Sequence, residues 1–330
     1  MIFKKQCVDG KVVLIPIVLV PVVLVLVVLI PVLQEQERGC MRMSFGAHYT
    51  PKDKAGSPQS EGDDAHFICA EKNTIGMADG VGGWARFGID AGKYARQLMS
   101  NVVTAVQKQQ PPLNRIVDLR QALEEGFLNT KAMGSSTACI VTFKDYYLRA
   151  INVGNSGFMI FRNSKCVYKS RIQQHGFNYP YQLGNSMSCG KPCSAIVTTV
   201  ERLLPGDITV LGTGGLQDNM FTAEIEDIIS KGTLEGVNTE KLASTFALLA
   251  LFNSMDKNVD IPFAQVARLA GLKHNGGKRD DITVIVDHVI ALIEFSAEPF
   301  GSQLSFVLCF LIINNIHSFI TLLGSCSSVL

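Results

Sequence analysis

Two short acidic stretches lie far apart in a chain of 330 residues: Ala78-Asp79-Gly80-Val81-Gly82-Gly83 and Lys278-Arg279-Asp280-Asp281-Ile282-Thr283. A third, Glu61-Gly62-Asp63-Asp64-Ala65, precedes the first. Each borders an apolar run. Carboxylates at strand ends beside glycines are the oxygen ligands a hard divalent cation takes. If the fold gathers them, their mutual repulsion needs an offset, and a metal ion supplies one. Alone, Asp79-Gly80 reads as a turn. The combination carries more, because Leu211-Gly212-Thr213-Gly214-Gly215-Leu216 also follows an apolar run, so that four such segments would meet sheet edges.

The elements that must position these residues follow from periodicity. Residues 66–70 and 74–78 read as short strands around a Lys72-Asn73 turn. Asp90 caps a helix to about residue 107, with Tyr94, Leu98, Val102 and Val106 on one face. A second helix is expected over 116–133. Residues 137–143, 146–153, 158–162 and 166–168 are consecutive strand-like runs, read as an antiparallel meander turning at Asp145, Gly154-Asn155 and Asn163-Ser164. A strand at 207–212 precedes helices over 222–230, 240–252 and 262–269, and a last strand covers 282–289. The cap at Thr222 lacks its Glu partner, because Ile225 stands three residues on. Strands and helices in segregated blocks imply an α+β layered domain.

Other chemistries fit less well. Ser135, Ser136 and Ser156 lie in no Gly-x-Ser-x-Gly elbow. Gly212-Thr213-Gly214-Gly215 lacks the lysine of a phosphate-binding loop. His66 reads as a strand-face residue, His175 as loop packing, His274 as a surface turn and Trp84 as a buried anchor. Nine cysteines, of which only Cys189 and Cys193 are close, read as reduced thiols. A net charge of +1 and the lack of a basic, aromatic-interleaved block argue against nucleic acid as a partner. Hydrophobic residues make up 47% and charged residues 18%, enough apolar side chains for a large core.

Three regions are expected. Residues 1–42 form an N-terminal extension, in which 12–33 carry no charge and are long enough for a membrane-spanning helix. Residues 43–290 form the globular body. The tail, 291–330, holds a second apolar stretch at 304–323, either a weak span or a packed helix. The N-terminal segment makes a membrane a candidate partner, with the body facing the cytosol; a soluble cytoplasmic or organellar protein is the alternative.

The body resembles the protein phosphatase 2C family of metal-dependent serine/threonine phosphatases, in its plant and mitochondrial-type short branch. The resemblance rests on Gly62-Asp63-Asp64-Ala65-His66-Phe67, Met77 to Trp84, Gly134-Ser135-Ser136-Thr137-Ala138-Cys139, Asn152 to Phe158, Gln173-Gln174-His175, Tyr181-Gln182-Leu183-Gly184-Asn185 and Asp280-Asp281-Ile282-Thr283, in the family's order. It implies a four-layer αββα sandwich of two antiparallel sheets flanked by helices. It further implies two Mn2+ or Mg2+ ions per site, which activate a water for in-line attack on phosphorus, with no side-chain nucleophile. Asp79 matches the bridging carboxylate, Gly80 a carbonyl ligand, Asp63 an acidic ligand that is usually Glu, and Asp280 the late ligand. Asp64 and Asp281 match residues that orient these from behind. A phosphoprotein is the implied substrate.

Three departures stand out. Gly214 stands where the family places a metal-binding Asp. Asn155 replaces an Asp in the Gly-Asp-Ser hairpin, and Val81 stands where many relatives carry a histidine. The alternative reading is therefore a degenerate, weak or inactive homologue acting as a membrane-tethered binding module.

Overall fold

The computed structural model describes residues 3–8, 11–16, 41–52, 61–110, 116–185 and 189–291. At the N-terminus β1 (Phe3–Val8) and β2 (Lys11–Pro16) form an antiparallel hairpin, with Phe3 opposite Pro16. The start of the run expected to be a membrane helix is thus strand; Val12, Val13 and Ile15 are β-branched and suit an extended chain. The rest of that run, and the 304–323 stretch, lie outside the described residues. Among the described residues no helix is long and apolar enough to cross a membrane.

The body opens with β3 (Met41–Thr50), β4 (Asp64–Cys69) and β5 (Thr74–Asp79). Helices α1 (Ala91–Lys108) and α2 (Leu119–Asn129) follow. The Asp90 side chain caps α1 by accepting from Gly92 N–H, as expected. Helix α2 is shorter than the expected 116–133, because Asp118 accepts from Gln121 N–H and starts the helix there. Next come the short β6 (Ser135–Ser136), then β7 (Ala138–Lys144), β8 (Tyr147–Val153), β9 (Gly157–Arg162) and β10 (Lys165–Lys169). After a loop, β11 (Ile196–Glu201) and β12 (Ile208–Gly212) lead into α3 (Gly214–Asn219), α4 (Thr222–Leu234), α5 (Thr239–Met255) and α6 (Pro262–Leu269). The cap of α4 is Phe221, one residue before the expected Thr222. That places Glu224 in the third position, where its carboxylate accepts from Phe221 N–H at 2.7 Å. The chain's last described strand is β13 (Ile282–Ala291).

Two five-stranded antiparallel sheets result. One runs β10-β9-β12-β13-β3 and the other β11-β8-β7-β5-β4. The expected meander is therefore split: β7 and β8 lie in one sheet, β9 and β10 in the other, and Gly154-Asn155-Ser156 is a crossover between sheets. Turn residues serve a sheet change as readily as a hairpin, which is why the sequence pattern did not separate them.

Side chains alternate across each strand. Ile75, Met77, Val141 and Phe143 meet Phe158, Ile160, Leu211 and Ile285 between the sheets. The opposite face of β5 and β7 presents Ala78, Ala138 and Ile140 to Tyr94, Leu98 and Val102 of α1 and Leu123 of α2. The outer face of the second sheet presents Val210, Val284 and Val286 to Leu216, Ile225 and Phe246. The layers are helix, sheet, sheet, helix. Burial on both faces explains why these strands read as continuous apolar runs. Each fully buried Leu, Ile, Phe or Met contributes ~1.5–3 kcal/mol.

Candidate functional site

The strand registers bring every predicted site residue to one end of the sandwich. Asp64 at the start of β4 lies opposite Asp79 at the end of β5. In the other sheet β12 ends at Gly212, opposite Val284 near the start of β13, and β3 ends at Thr50, opposite Ile282. The crossover arrives at the same end, because Gly157 pairs with Gly212. Asp63, Asp64, Asp79, Gly80, Asp280 and Asp281 thus share one edge though the chain separates them by up to 218 residues.

Asp64 is fully buried and joins the two sheets. Its Oδ2 accepts from Thr213 Oγ1 and from Thr283 Oγ1, both at 2.8 Å. Burial raises its carboxyl well above the usual range; Asp79 and Asp281 add to this and the Thr283 hydroxyl opposes it. Asp281 clamps the end of β3, accepting from Lys52 N–H at 3.0 Å and from Tyr49 Oη at 2.9 Å. Burial lifts its carboxyl too, and these two donors offset part of the rise.

Asp79 is fixed at the strand end by Thr137: its N–H donates to Thr137 Oγ1 at 3.0 Å, and Thr137 N–H donates back to the Asp79 carbonyl at 2.9 Å. Its carboxyl is pushed up to about 8, first by burial and then by Asp280; Lys278 and the Gly214 N–H pull the other way. Gly80 follows with no room for a side chain. A Cβ there would stand 2.5 Å from the Asp63 carbonyl oxygen and 2.6 Å from that of Ala91, so only glycine fits. Gly80 N–H donates to the Asp63 carbonyl at 3.0 Å, tying the two acidic segments together.

Gly214 opens α3 and faces the same acids. A Cβ built on it would lie 3.2 Å from Asp79 Oδ2, 3.3 Å from Asn155 Nδ2 and 3.7 Å from Asp218 Oδ2. A carboxylate at this position would therefore point into the cluster.

Two residues that sequence reasoning missed complete it. Lys278 Nζ lies 2.6 Å from Asp218 Oδ2 and 2.9 Å from Asp280 Oδ2. Burial alone would lower the Lys278 ammonium; Asp218 and Asp280 outweigh it and hold the proton on. Burial raises Asp218, and Lys278 opposes the rise. A signal for Asp218 did exist: it lies four residues beyond Gly214, on the same helix face. Lys278 gave none, since a lysine beside acids usually marks a solvated surface.

The other residues weighed in the sequence behave mostly as structure. Trp84 is half-buried rather than buried, and its Nε1 donates to Ser135 Oγ at 2.6 Å. His175 stacks on Tyr181 with ring centroids 4.1 Å apart. His66 is an exposed strand residue and His274 packs edge-on against Phe263.

The donors at this end are oxygens, and Asp64 Oδ1 and Asn155 Oδ1 are buried oxygens that accept no hydrogen bond. Both features suit a hard divalent ion. Among the described residues no three Asp, Glu, His or Cys side chains converge tightly enough to hold an ion by themselves. Backbone carbonyl oxygen and water are thus needed to fill a coordination shell, as hard cations commonly allow.

No family model matches the chain. Similar proteins do. It is 44% identical over 254 residues to "Probable protein phosphatase 2C 55" of Arabidopsis thaliana, covering 76% of this chain and 52% of that protein. It is 38% identical over 251 residues to "Protein phosphatase PTC7 homolog fig" of Drosophila melanogaster, covering 71% of this chain and 79% of that one. The chain spans about half the length of the Arabidopsis relative. Among solved structures, the photosystem II phosphatase PBCP superposes with a TM-score of 0.68 at 31% identity, covering 76% of this chain and all of PBCP. The catalytic domain of the phosphatase PstP, solved with two manganese ions, gives a TM-score of 0.53 at 17% identity over 76% of this chain and 100% of that one, a likeness of fold alone. Fold, site layout and these similarities agree: the chain belongs to the protein phosphatase 2C family.

Proposed function

We propose that the chain is a metal-dependent protein serine/threonine phosphatase, hydrolysing phosphoserine and phosphothreonine in protein substrates with Mn2+ or Mg2+. The observation that carries this reading is the arrival of Asp63, Asp64, Asp79, Asp280 and Asp281 at one sandwich end in a phosphatase 2C fold. Asp63, Asp79, the Gly80 carbonyl and Asp280 are the residues that would hold the metal. When bound, the metal supplies Lewis acidity toward a phosphoryl oxygen and toward water. Asp64, anchored by two threonine hydroxyls, and Asp281, anchored by Tyr49 and Lys52 N–H, keep the ligand-bearing strand ends in register. Val81 has no proton to give the leaving alkoxide, so protonation at that point falls to solvent.

Gly214 favours a second reading, a catalytically weak or silent domain that binds phosphoproteins. Steady-state hydrolysis of a phosphothreonine peptide in millimolar Mn2+ separates the two. The first reading expects a rate far above an Asp79→Ala control; equal rates would select the second. Attachment to a membrane through the 12–33 run rests on its apolar composition alone, and its first residues, to Pro16, are strand. Extraction of cell membranes with alkaline carbonate tests it, since release of the chain into the supernatant would exclude a span.

A further inference from the structure

Lys278 stands inside the carboxylate cluster rather than at its rim. Its side chain is 17% exposed, with carboxylate oxygens of Asp218 and Asp280 at 2.6 and 2.9 Å. The ring of Phe263 lies 5.0 Å from Nζ. A desolvated ammonium held by two charge-assisted hydrogen bonds and an aromatic face has a fixed position. The neighbouring wall carries no carboxylate: a side chain at Gly214 would point between Asp79 and Asp218, its Cβ 3.7 Å from the Asp218 oxygen that Lys278 bonds. Asp64 is engaged by two hydroxyls and Asp281 by Tyr49 and Lys52, and Asp218 and Asp280 are engaged by Lys278. Asp79 feels the Lys278 charge, but its carboxylate is not one of the two that Lys278 bonds.

Resting on the phosphatase reading above but narrowing its ligand set, we propose that this chain takes one divalent ion, on the Asp79–Gly80 side, and that the Lys278 ammonium fills the place of a second ion between Asp218 and Asp280, so that Asp280 is held by Lys278 and not by the ion. Two features lead to the same count. The missing carboxylate at Gly214 removes a ligand that a second ion would share with Asp79. The ammonium offsets one of the two charges that would otherwise attract that ion, takes the place between them, and repels a further cation at close range. Lys278 is thus a fixed counter-charge that positions Asp218 and Asp280. It also holds the β12–α3 corner against the loop before β13 when metal is scarce.

The count is directly measurable. The full chain, stripped of metal and titrated with Mn2+, should bind one ion per chain by calorimetry and by elemental analysis of the dialysed protein. Its electron paramagnetic resonance spectrum should be the six-line pattern of an isolated Mn2+. Two ions per chain with an exchange-coupled multiline spectrum would overturn the proposal and leave the phosphatase reading standing. The double variant Gly214→Asp/Lys278→Ser should bind two ions, giving the coupled spectrum; one ion in that variant would also overturn the proposal, because Lys278 and Gly214 would then not set the number. Should the variant fail to fold, the wild-type spectrum decides alone. Absence of Mn2+ binding to the wild type at millimolar concentration would remove the phosphatase reading and this proposal together.

Discussion

Asp64 and Asp287 are both buried carboxyls in the same sandwich, and burial lifts both well above the ordinary carboxylate range. Their surroundings differ. Asp64 sits at a strand end, holds two threonine hydroxyls from the opposite sheet and feels Asp79 and Asp281. Asp287 sits in mid-strand on β13, opposite Thr209 and Phe45, on the inter-sheet face it shares with Ile285 and Val289. Neither of its oxygens accepts a well-formed hydrogen bond, and Thr209 Oγ1 across the ladder is likewise without a partner. The neighbouring His288 N–H offsets only part of the burial effect. A buried acid is therefore not a functional signal by itself. What separates the two is the network: one carboxylate is wired to a second sheet and to other acids, and the other is an uncompensated cost.

Substitutions can break or sharpen this contrast. The largest effect is expected within the wired region. Asp79→Ala should lower kcat/KM on a phosphopeptide by on the order of 10³-fold, since metal electrostatics supply several kcal/mol of transition-state stabilisation. Next comes Asp64→Val, which strands two buried hydroxyls and loosens the ligand-bearing strands. Mn2+ affinity measured by calorimetry should fall about 10–100-fold, and urea denaturation should show a loss of about 2 kcal/mol. The same change at the other acid, Asp287→Val, should have the opposite sign: a gain of about 1–3 kcal/mol in urea, from removing an unsatisfied buried carboxyl, with activity kept. A loss of stability in Asp287→Val would mean that the carboxyl has a partner, and the contrast would fail.

The smallest effect is a pH slope. Folded Asp287 holds its proton more tightly than the unfolded chain does, so the native state binds more protons over that range. Stability should therefore fall as pH rises from the ordinary Asp range, about 4, through the raised native value. The difference between wild type and Asp287→Val in denaturant midpoint should accordingly widen over that window and level off below it, at the cost of the neutral, unpaired carboxyl.

Much of the wired region was legible before any coordinates, because an acid next to glycine at the end of an apolar run is a local pattern. Asp79-Gly80 carries it in full; Asp63, Asp64, Asp280 and Asp281 share only the border with an apolar run, and of these only Asp63 adjoins a glycine. The strand β3 was not legible: Met41–Thr50 has few β-branched residues and becomes a strand by pairing with β13 along its whole length. Helix α3 was hidden by the Gly-Gly that opens it. The Lys278–Asp218 pair joins residues 60 apart, and no local rule brings them together. Asp287 sat unnoticed in Ile282–Ala291, where an alternating polar residue looks like a solvent-facing position until a second sheet covers that face.

The central claim, that the acidic end of the sandwich is a metal centre, is tested most directly by anomalous scattering from crystals soaked in Mn2+. The account predicts a manganese peak in contact with Asp79 and none at the position of Lys278 Nζ between Asp218 and Asp280. A fully soaked crystal with no peak at Asp79 would contradict it.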